Sequence, residues 1–245
     1  MALRLAAGSG QPGGGAVHRL PDRARLAGGV TACIVLLGGS YDPVHNGHVA
    51  LGEHCAALLR ADLLRVIPAG APWQKGSTHA NAAQRADMVR LAFAALPLPV
   101  TVDTQEIERG APTYTIDTLR AVRAEVGPQA ALVFVIGADQ LQRFDSWREW
   151  RQLFDYAHFC VAARPGFALD GPAIPAQVAE QFSRRLGTLQ QIRNTPHGLT
   201  YLAPDFAVDI SATEIRAALQ RGETANAPIP APVLDYIEQH HLYKS

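Results

Sequence analysis

Short apolar runs alternate with helix-like segments along most of this chain. Several runs are continuous and rich in aliphatic and β-branched residues, which is typical of buried strands. The predicted strands cover residues 32–37, 63–68, 100–102, 131–136 and 158–163. Between them apolar residues recur at helical spacing, and the predicted helices cover residues 49–59, 82–96, 114–126 and 147–154. This alternation predicts an α/β fold, in which a doubly wound, mostly parallel sheet carries helices on both faces.

The first predicted strand ends in a turn that carries two glycines and two histidines. Gly38 and Gly39 remove side chains where the backbone must approach a ligand closely, and the following helix offers unpaired N–H groups to an anion. His45 and His48 are three positions apart, so both imidazoles can lie at the mouth of a helix that begins near Asn46. For either histidine alone, capping or core packing is the commoner role. The ordered string of residues favours a phosphate site.

A second candidate phosphate site lies nearer the end of the chain. The spacing of Ser211 and Glu214 is that of a capping box, which predicts a helix beginning at Ser211. Hydroxyl groups of Ser211 and Thr213 lie in its first turn, and the Arg216 guanidinium offers a fork of donors suited to phosphate oxygens. Taken alone, simple capping is the commoner explanation of this spacing. Together with the two histidines, it predicts a second anion site on the same chain.

Three further loops are predicted to reach the edge of the sheet where ligands bind. Gly137 permits close approach after a strand, and Asp139 either accepts from a ligand hydroxyl or caps a helix. Trp147 lies within the capping-box spacing Ser146–Glu149, where its ring either stacks on a planar ligand or packs against the protein. Lys75, in a loop punctuated by proline and glycine, either meets a phosphate or points into solvent.

Composition narrows the classes of function. The chain has 245 residues, a hydrophobic content of 48% and a formal net charge of zero, which argues against a broad nucleic-acid-binding surface. Cys33, Cys55 and Cys160 lie far apart in apolar runs and are predicted to be reduced core residues of a cytoplasmic protein. No apolar run approaches the roughly 20 residues that a membrane-spanning helix needs, so no membrane partner is expected.

The domain organisation is predicted from the same patterns. Residues 1–30 are rich in glycine and poor in apolar runs, and we expect them to be a disordered extension. Residues 31–245 are predicted to form a single catalytic domain with a helical C-terminal portion. The helix expected around residues 233–240 could pack on its own domain or on a neighbouring copy in a homo-oligomer.

Six segments of this chain resemble, in sequence and in order, the bacterial nicotinate mononucleotide adenylyltransferases of the HxGH nucleotidyltransferase superfamily. The first is the string Gly-Gly-Ser-Tyr-Asp-Pro-Val-His-Asn-Gly-His, in which Tyr41 stands where these proteins often have phenylalanine. The likeness extends from about Val35 to Tyr243, and Ala69 stands where many relatives carry asparagine. The six segments are residues 38–48, 111–119, 136–139, 144–147, 164–166 and 210–216.

This resemblance implies a Rossmann-like fold and an enzyme of NAD biosynthesis. Its partners would be ATP and nicotinate mononucleotide, which it would join into nicotinate adenine dinucleotide with release of pyrophosphate. The mononucleotide phosphate would attack the α-phosphorus of ATP in line, so no protein nucleophile is required. Mg²⁺ would be carried by the ATP phosphates, and no protein metal ligand is predicted.

The resemblance also implies roles for individual residues. His45, His48 and Arg216 are the predicted catalytic residues, with the histidines on the α- and β-phosphates. Arg216 would hold the β- and γ-phosphates from the other side. The predicted ATP contacts are Gly38, Gly39, Ser40, Tyr41, Gly47, Gly137, Asp139, Ser211 and Thr213. The predicted mononucleotide contacts are Lys75, Tyr114, Thr115, Arg164 and Trp147, whose ring would stack on the pyridine.

Three alternative functions are considered. Pantetheine-phosphate adenylyltransferase shares both phosphate motifs, but it is a shorter chain without the segment 113–115 and without Trp147. Nicotinamide mononucleotide differs from nicotinate mononucleotide by one group, which backbone donors could distinguish without leaving a side-chain signal. A non-catalytic nucleotide sensor would have no chemical need for His45, His48 and Arg216 together.

Overall fold

The computed structural model describes residues 32–70, 78–163, 167–203, 206 and 210–244. The predicted extension of residues 1–30 lies outside the described residues, as do Lys75 and Arg164. The strands are β1 (Cys33–Gly39), β2 (Leu63–Pro68), β3 (Val100–Val102), β4 (Ala131–Gly137), β5 (His158–Ala162) and β6 (Thr200–Ala203). They form one sheet in the order β3-β2-β1-β4-β5-β6, and each neighbouring pair is parallel. The predicted Rossmann-like, doubly wound α/β class is confirmed.

Helices follow the strands and cover the sheet. They are α1 (Asn46–Leu59), α2 (Ala82–Phe93), α3 (Gln105–Glu108), α4 (Thr115–Val126), α5 (Ala176–Ser183), α6 (Leu189–Asn194), α7 (Ala212–Gln220) and α8 (Ala231–Gln239). Two 3₁₀ helices, Ala138–Ser146 and Trp150–Asp155, lie between β4 and β5. Within the described residues, no helix has both the length and the apolar character needed to cross a membrane.

The central strands are buried on both faces. Cys33, Val35 and Leu37 of β1 belong to the core on one side of the sheet, whereas Ile34 and Leu36 belong to the core on the other. None of these five side chains is more than 2% exposed. Burial on both faces explains why β1 reads as a continuous apolar run, because neither set of alternate positions meets water.

The strand order reverses between β1 and β4. These two strands lie side by side at the centre of the sheet, with Leu37 opposite Val135. β1 leads into helices on one flank and β4 into helices on the other, so their carboxyl ends open a crevice. The turn with the two histidines and the loop with Asp139 both leave the sheet at this crevice.

The structure corrects the prediction that Ser146 starts a helix. The Ser146 hydroxyl donates back to the Arg143 carbonyl at 2.6 Å, which closes the preceding 3₁₀ helix. Trp147 is extended, and the next helical turn begins only at Trp150. A serine hydroxyl can bond backward as well as forward, so its spacing to Glu149 did not decide the outcome.

The α8 helix packs against α2 of the same chain. Val233 and Ile237 are buried on its inner face, and the Tyr236 hydroxyl donates to Asp87 of α2 at 3.3 Å. Of the two packing arrangements considered for this helix, the structure therefore shows packing on its own domain.

A buried histidine at the start of β5 should make stability depend on pH. His158 Nε2 donates to the Thr195 carbonyl at 2.8 Å, and His158 Nδ1 accepts the Leu199 N–H at 3.0 Å, so the ring is held neutral. Burial lowers the pKa of His158 to about 4. In the unfolded chain the ring of His158 binds a proton near pH 6.5. The contribution of His158 to the free energy of unfolding should therefore be fully present above pH 6.5 and be lost as the pH falls toward 4.

The expected loss from His158 is about 3 kcal/mol over that range, at about 1.4 kcal/mol per pH unit. Urea unfolding at pH 7.5 and pH 4.5 measures it, with His158→Gln as the comparison because glutamine does not titrate. The difference in unfolding free energy between the two pH values should be larger for the wild type. Equal differences in the two proteins would contradict the role given to His158.

Candidate functional site

Two histidine rings are stacked at the start of α1. His45 is the N-cap residue of this helix, and its ring centroid lies 3.7 Å from that of His48 with 28° between the planes. The backbone N–H of His45 donates to His48 Nδ1 at 3.2 Å. A neutral imidazole that accepts at Nδ1 carries its proton on Nε2. The turn therefore fixes the orientation of the His48 ring, with its proton on Nε2.

Tyr41 packs against this turn and contacts His48. Its side chain is fully buried, its hydroxyl donates to the Leu37 carbonyl at 2.7 Å, and its ring meets His48 edge-on at 4.9 Å. A Cβ on Gly39 would lie 2.9 Å from the Tyr41 ring, so glycine is needed there for close packing. The structure places the Tyr41 ring against His48, and Tyr41 is not among the residues that line the two cavities described below. The ATP contact expected for Tyr41 stays a prediction.

The second predicted motif lies against the same turn. Ser211 caps α7, and its hydroxyl accepts the Glu214 N–H at 3.5 Å. Arg216 donates from Nη1 to the Asp42 carbonyl at 2.6 Å and from Nη2 to the Thr213 hydroxyl at 3.3 Å. The two motifs are therefore joined by a direct hydrogen bond, although Asp42 and Arg216 are 174 positions apart.

These groups line a cavity of about 750 Å³, here called the phosphate cavity. It combines hydroxyl, imidazole and guanidinium groups with the backbone at the starts of α1 and α7. Such donors suit a chain of phosphate groups. Its lining includes Ser40, Asp42, His45, Gly47, His48, Asp139, Ser211, Thr213 and Arg216.

A second cavity, of about 280 Å³, opens beside it over the carboxyl ends of β1 and β4. We call it the aromatic cavity, because Tyr114, Phe134 and Trp147 contribute to its walls. Its other lining residues include Gly38, Gly39, Ala69, Glu106, Thr115, Gly137 and Arg148. The two cavities share Ser40, His48 and Leu51. His48 therefore stands at their junction, where a group bound in one cavity would meet a group bound in the other.

One wall of the aromatic cavity is built from aromatic rings that pack against one another. The Trp147 ring packs on Phe144 with 5.0 Å between centroids, and it meets Phe134 at 90° and 6.4 Å. The Arg148 guanidinium lies 4.9 Å from the centre of the Tyr114 ring. Two aromatic faces and a cation are thereby held at one rim, and such a surface can stack on a planar ring that carries a negative charge.

The Asp42 carboxylate is fully engaged by the protein. It accepts the backbone N–H groups of His79 at 2.8 Å and Ala80 at 3.0 Å, and the Tyr243 hydroxyl at 2.7 Å. Burial opposes its ionisation, but these donors and the nearby Arg216 outweigh burial and hold the pKa of Asp42 below its ordinary value. Among the described residues, no three His, Cys, Asp or Glu side chains are grouped to hold a metal ion.

Sequence patterns missed one further support of the site. Arg85, on α2, is 1% exposed and donates to the Ser40 carbonyl at 2.7 Å and to the Gly70 carbonyl at 3.0 Å. It thereby ties together the loops that follow β1 and β2. An arginine on the apolar face of a predicted helix was the available signal, because a charged group there requires fixed partners.

Known proteins match this chain over most of its length. Residues 36–218 match the family model described as Cytidylyltransferase-like. A relative from Herminiimonas arsenicoxydans, named "Probable nicotinate-nucleotide adenylyltransferase", is 62% identical over 216 residues, which cover 88% of this chain and 99% of the relative. A relative of the same name from Chromobacterium violaceum is 41% identical over 88% of this chain and 100% of its own length.

A solved structure shows the same fold. The nicotinic acid mononucleotide adenylyltransferase of Plasmodium falciparum, complexed with NaAD, aligns with a TM-score of 0.64 and 20% identity. The alignment covers 86% of this chain and 97% of that chain. At this level of identity the likeness supports the arrangement of strands and helices.

Proposed function

The chain belongs to the cytidylyltransferase-like family and, within it, to the nicotinate-nucleotide adenylyltransferases, and on that premise we propose that it joins nicotinate mononucleotide to the AMP part of ATP. The products are nicotinate adenine dinucleotide and pyrophosphate, which places the enzyme in NAD biosynthesis. The observation that carries this proposal is the position of His48 at the junction of the phosphate and aromatic cavities. ATP occupies the first cavity with its phosphates, and the mononucleotide occupies the second with its pyridine ring.

The reaction is an in-line displacement at the α-phosphorus of ATP. An oxygen of the mononucleotide 5′-phosphate forms the new P–O bond, and the bond to the leaving pyrophosphate breaks. The chain supplies position and charge stabilisation, since no covalent intermediate is required. His48 donates from Nε2 to an α-phosphate oxygen that gains charge as the bond breaks. His45 lies stacked beside it and faces the neighbouring phosphates.

The start of α7 holds the leaving group. Ser211 and Thr213 present hydroxyl groups to the phosphate cavity, and Arg216 presents its guanidinium beside Thr213. Because pyrophosphate leaves with added negative charge, an arginine there stabilises the transition state more than the ground state. We assign the adenosine to Gly137, at the edge of the aromatic cavity, and to Asp139 of the phosphate cavity. Tyr114, Thr115 and Trp147 are assigned to the mononucleotide.

Mg²⁺ is proposed to enter with ATP, bound to its phosphates. The engaged carboxylate of Asp42 fits this arrangement, because its oxygens already accept three hydrogen bonds from the protein. Among the described residues that line the phosphate cavity, Asp139 is the other carboxylate, and it would hold the ion's water shell. When bound, the ion neutralises charge on the phosphates. The residues of the chain orient those phosphates and donate to their oxygens.

We also propose a cytoplasmic location and a single catalytic domain over residues 31–245. Support for the first comes from Cys33, Cys55 and Cys160, which are free and buried. Burial raises the pKa of Cys33 to about 11, which keeps this thiol protonated and unreactive. Support for the second comes from one core cluster that runs from Cys33 to Tyr243.

Removing the Trp147 ring should weaken binding of the mononucleotide selectively. Trp147→Ala is expected to raise the KM for nicotinate mononucleotide by about 10-fold or more, since stacking of an aromatic side chain on a base contributes about 1–3 kcal/mol. The KM for ATP should stay within about twofold. Trp147→Phe is the matched control, because it keeps an aromatic face and should lose less. An equal rise of both KM values would contradict the placement of Trp147 in the mononucleotide site.

Pyrophosphate release from ATP and Mg²⁺ tests the proposed reaction. The purified chain is assayed with nicotinate mononucleotide, nicotinamide mononucleotide and phosphopantetheine in parallel, and then with both mononucleotides in competition. We expect pyrophosphate and nicotinate adenine dinucleotide in equal amounts, with nicotinate mononucleotide preferred. ATP binding without release of pyrophosphate in any assay would indicate a nucleotide sensor and overturn the proposal.

A further inference from the structure

Asp42 is a point at which four separate parts of the chain meet. Its carboxylate accepts from the backbone of His79 and Ala80 and from the hydroxyl of Tyr243, and its carbonyl accepts from Arg216. Only three positions separate Asp42 from His45. Any rotation of Asp42 would therefore displace both the guanidinium that it binds and the stacked histidines that follow it.

Tyr243 is the outermost of these partners in sequence, 201 positions from Asp42. It is only 6% exposed, and its backbone has a φ of 61°, in the left-handed region that side chains other than glycine rarely adopt. In this backbone conformation the ring of Tyr243 is buried and its hydroxyl donates to the Asp42 carboxylate. Burial, followed by the bond to Asp42, raises the pKa of Tyr243 far above its ordinary value, so the hydroxyl remains a donor.

We propose that Tyr243 is a positioning residue for adenylyl transfer, acting through Asp42 on the phosphate cavity. The inference rests on the proposed function. Its hydroxyl donates a hydrogen bond to the side-chain carboxylate of Asp42, and Arg216 donates one to the backbone carbonyl of the same residue. Tyr243 itself lines neither the phosphate cavity nor the aromatic cavity. It fixes the spacing between the two groups that must act on one triphosphate.

Tyr243→Phe removes only the hydroxyl. Because displacement of catalytic groups by about 1 Å can cost about 100-fold in rate, partial loosening should lower kcat by about 10-fold. The KM for nicotinate mononucleotide should stay within about twofold, since the aromatic cavity does not contact Asp42. The kcat of each variant is calculated per folded molecule. The folded fraction at the assay temperature is read from a thermal unfolding curve.

Tyr236→Phe is the matched control. It also removes a tyrosine hydroxyl bonded to an aspartate, Asp87, but this pair joins α8 to α2 away from both cavities. Its Tm should fall less than that of Tyr243→Phe, because this bond is longer and Asp87 is about half exposed, and its kcat should be unchanged. An equal kcat in the two variants would overturn the proposal and leave Tyr243 with a purely structural role.

A double variant provides the second test. If Tyr243 acts through Asp42 on Arg216, the kcat effects of Tyr243→Phe and Arg216→Lys should be non-additive, because both substitutions disturb one hydrogen-bonded unit. Effects that multiply independently would overturn the inference. Failure of the proposed function is distinguishable, since the wild-type chain would then release no pyrophosphate at all.

Discussion

Replacing His48 with alanine is expected to lower kcat by about 10²- to 10³-fold, the usual cost of losing one transition-state donor, about 2.7–4 kcal/mol. The affinity for ATP should change little, because Arg216, Ser211 and Thr213 still line the phosphate cavity. Steady-state kinetics measure the first quantity, and titration with an unreactive ATP analogue measures the second.

His48→Asn separates the two nitrogens of this ring. The asparagine amide can still accept the His45 N–H in place of Nδ1, but it places no donor where Nε2 lies. If donation to phosphate is the function of His48, the asparagine variant should be about as slow as the alanine variant. Turnover near that of the wild type in either variant would show that His48 only shapes the turn.

Arg216→Ala is expected to lower kcat/KM for ATP by about 100-fold. The substitution removes a charge-assisted donor to the leaving group and also the bond that ties α7 to the Asp42 carbonyl. Arg216→Lys should recover part of the activity, because it keeps the charge without the planar fork of donors. Initial rates over a series of ATP concentrations measure both variants.

The same helix provides a control for Arg216. Arg221 ends α7, is paired with Glu223 at 2.7 Å and does not line the phosphate cavity. Arg221→Ala should keep kcat/KM for ATP within about twofold, since an exposed ion pair contributes little. A comparable loss in both arginine variants would indicate damage to α7 and contradict a specific role for Arg216.

The central part of the fold was predictable because its strands are buried on both faces. The runs that became β2 and β3 were predicted with the observed bounds, and β4 and β5 differ from prediction by one residue at one end. The later part of the sheet was not predicted. β6 is only four residues long, and Tyr201 and Leu202 within it are half-buried, so it carries no continuous apolar signal.

The candidate site was predictable where a local string of residues encodes it. The turn at His45 and His48 and the capped start of α7 are local features, and the structure brings them to one cavity as the proposal requires. The supports beneath them are contacts between distant parts of the chain, as Arg85 with Ser40 and Tyr243 with Asp42 illustrate. The spacing of residues along the chain cannot predict such contacts, because they depend on how distant segments pack in the folded domain.

The central claim is that the histidine pair and the Arg216 group act on a single triphosphate. A crystal structure of the chain with an unreactive ATP analogue and Mg²⁺ tests it most directly. We expect the α-phosphate within hydrogen-bond distance of His48 Nε2, and the β- and γ-phosphates among Ser211, Thr213 and Arg216. A triphosphate bound outside the phosphate cavity, or one that touches only one of the two groups, would contradict the account.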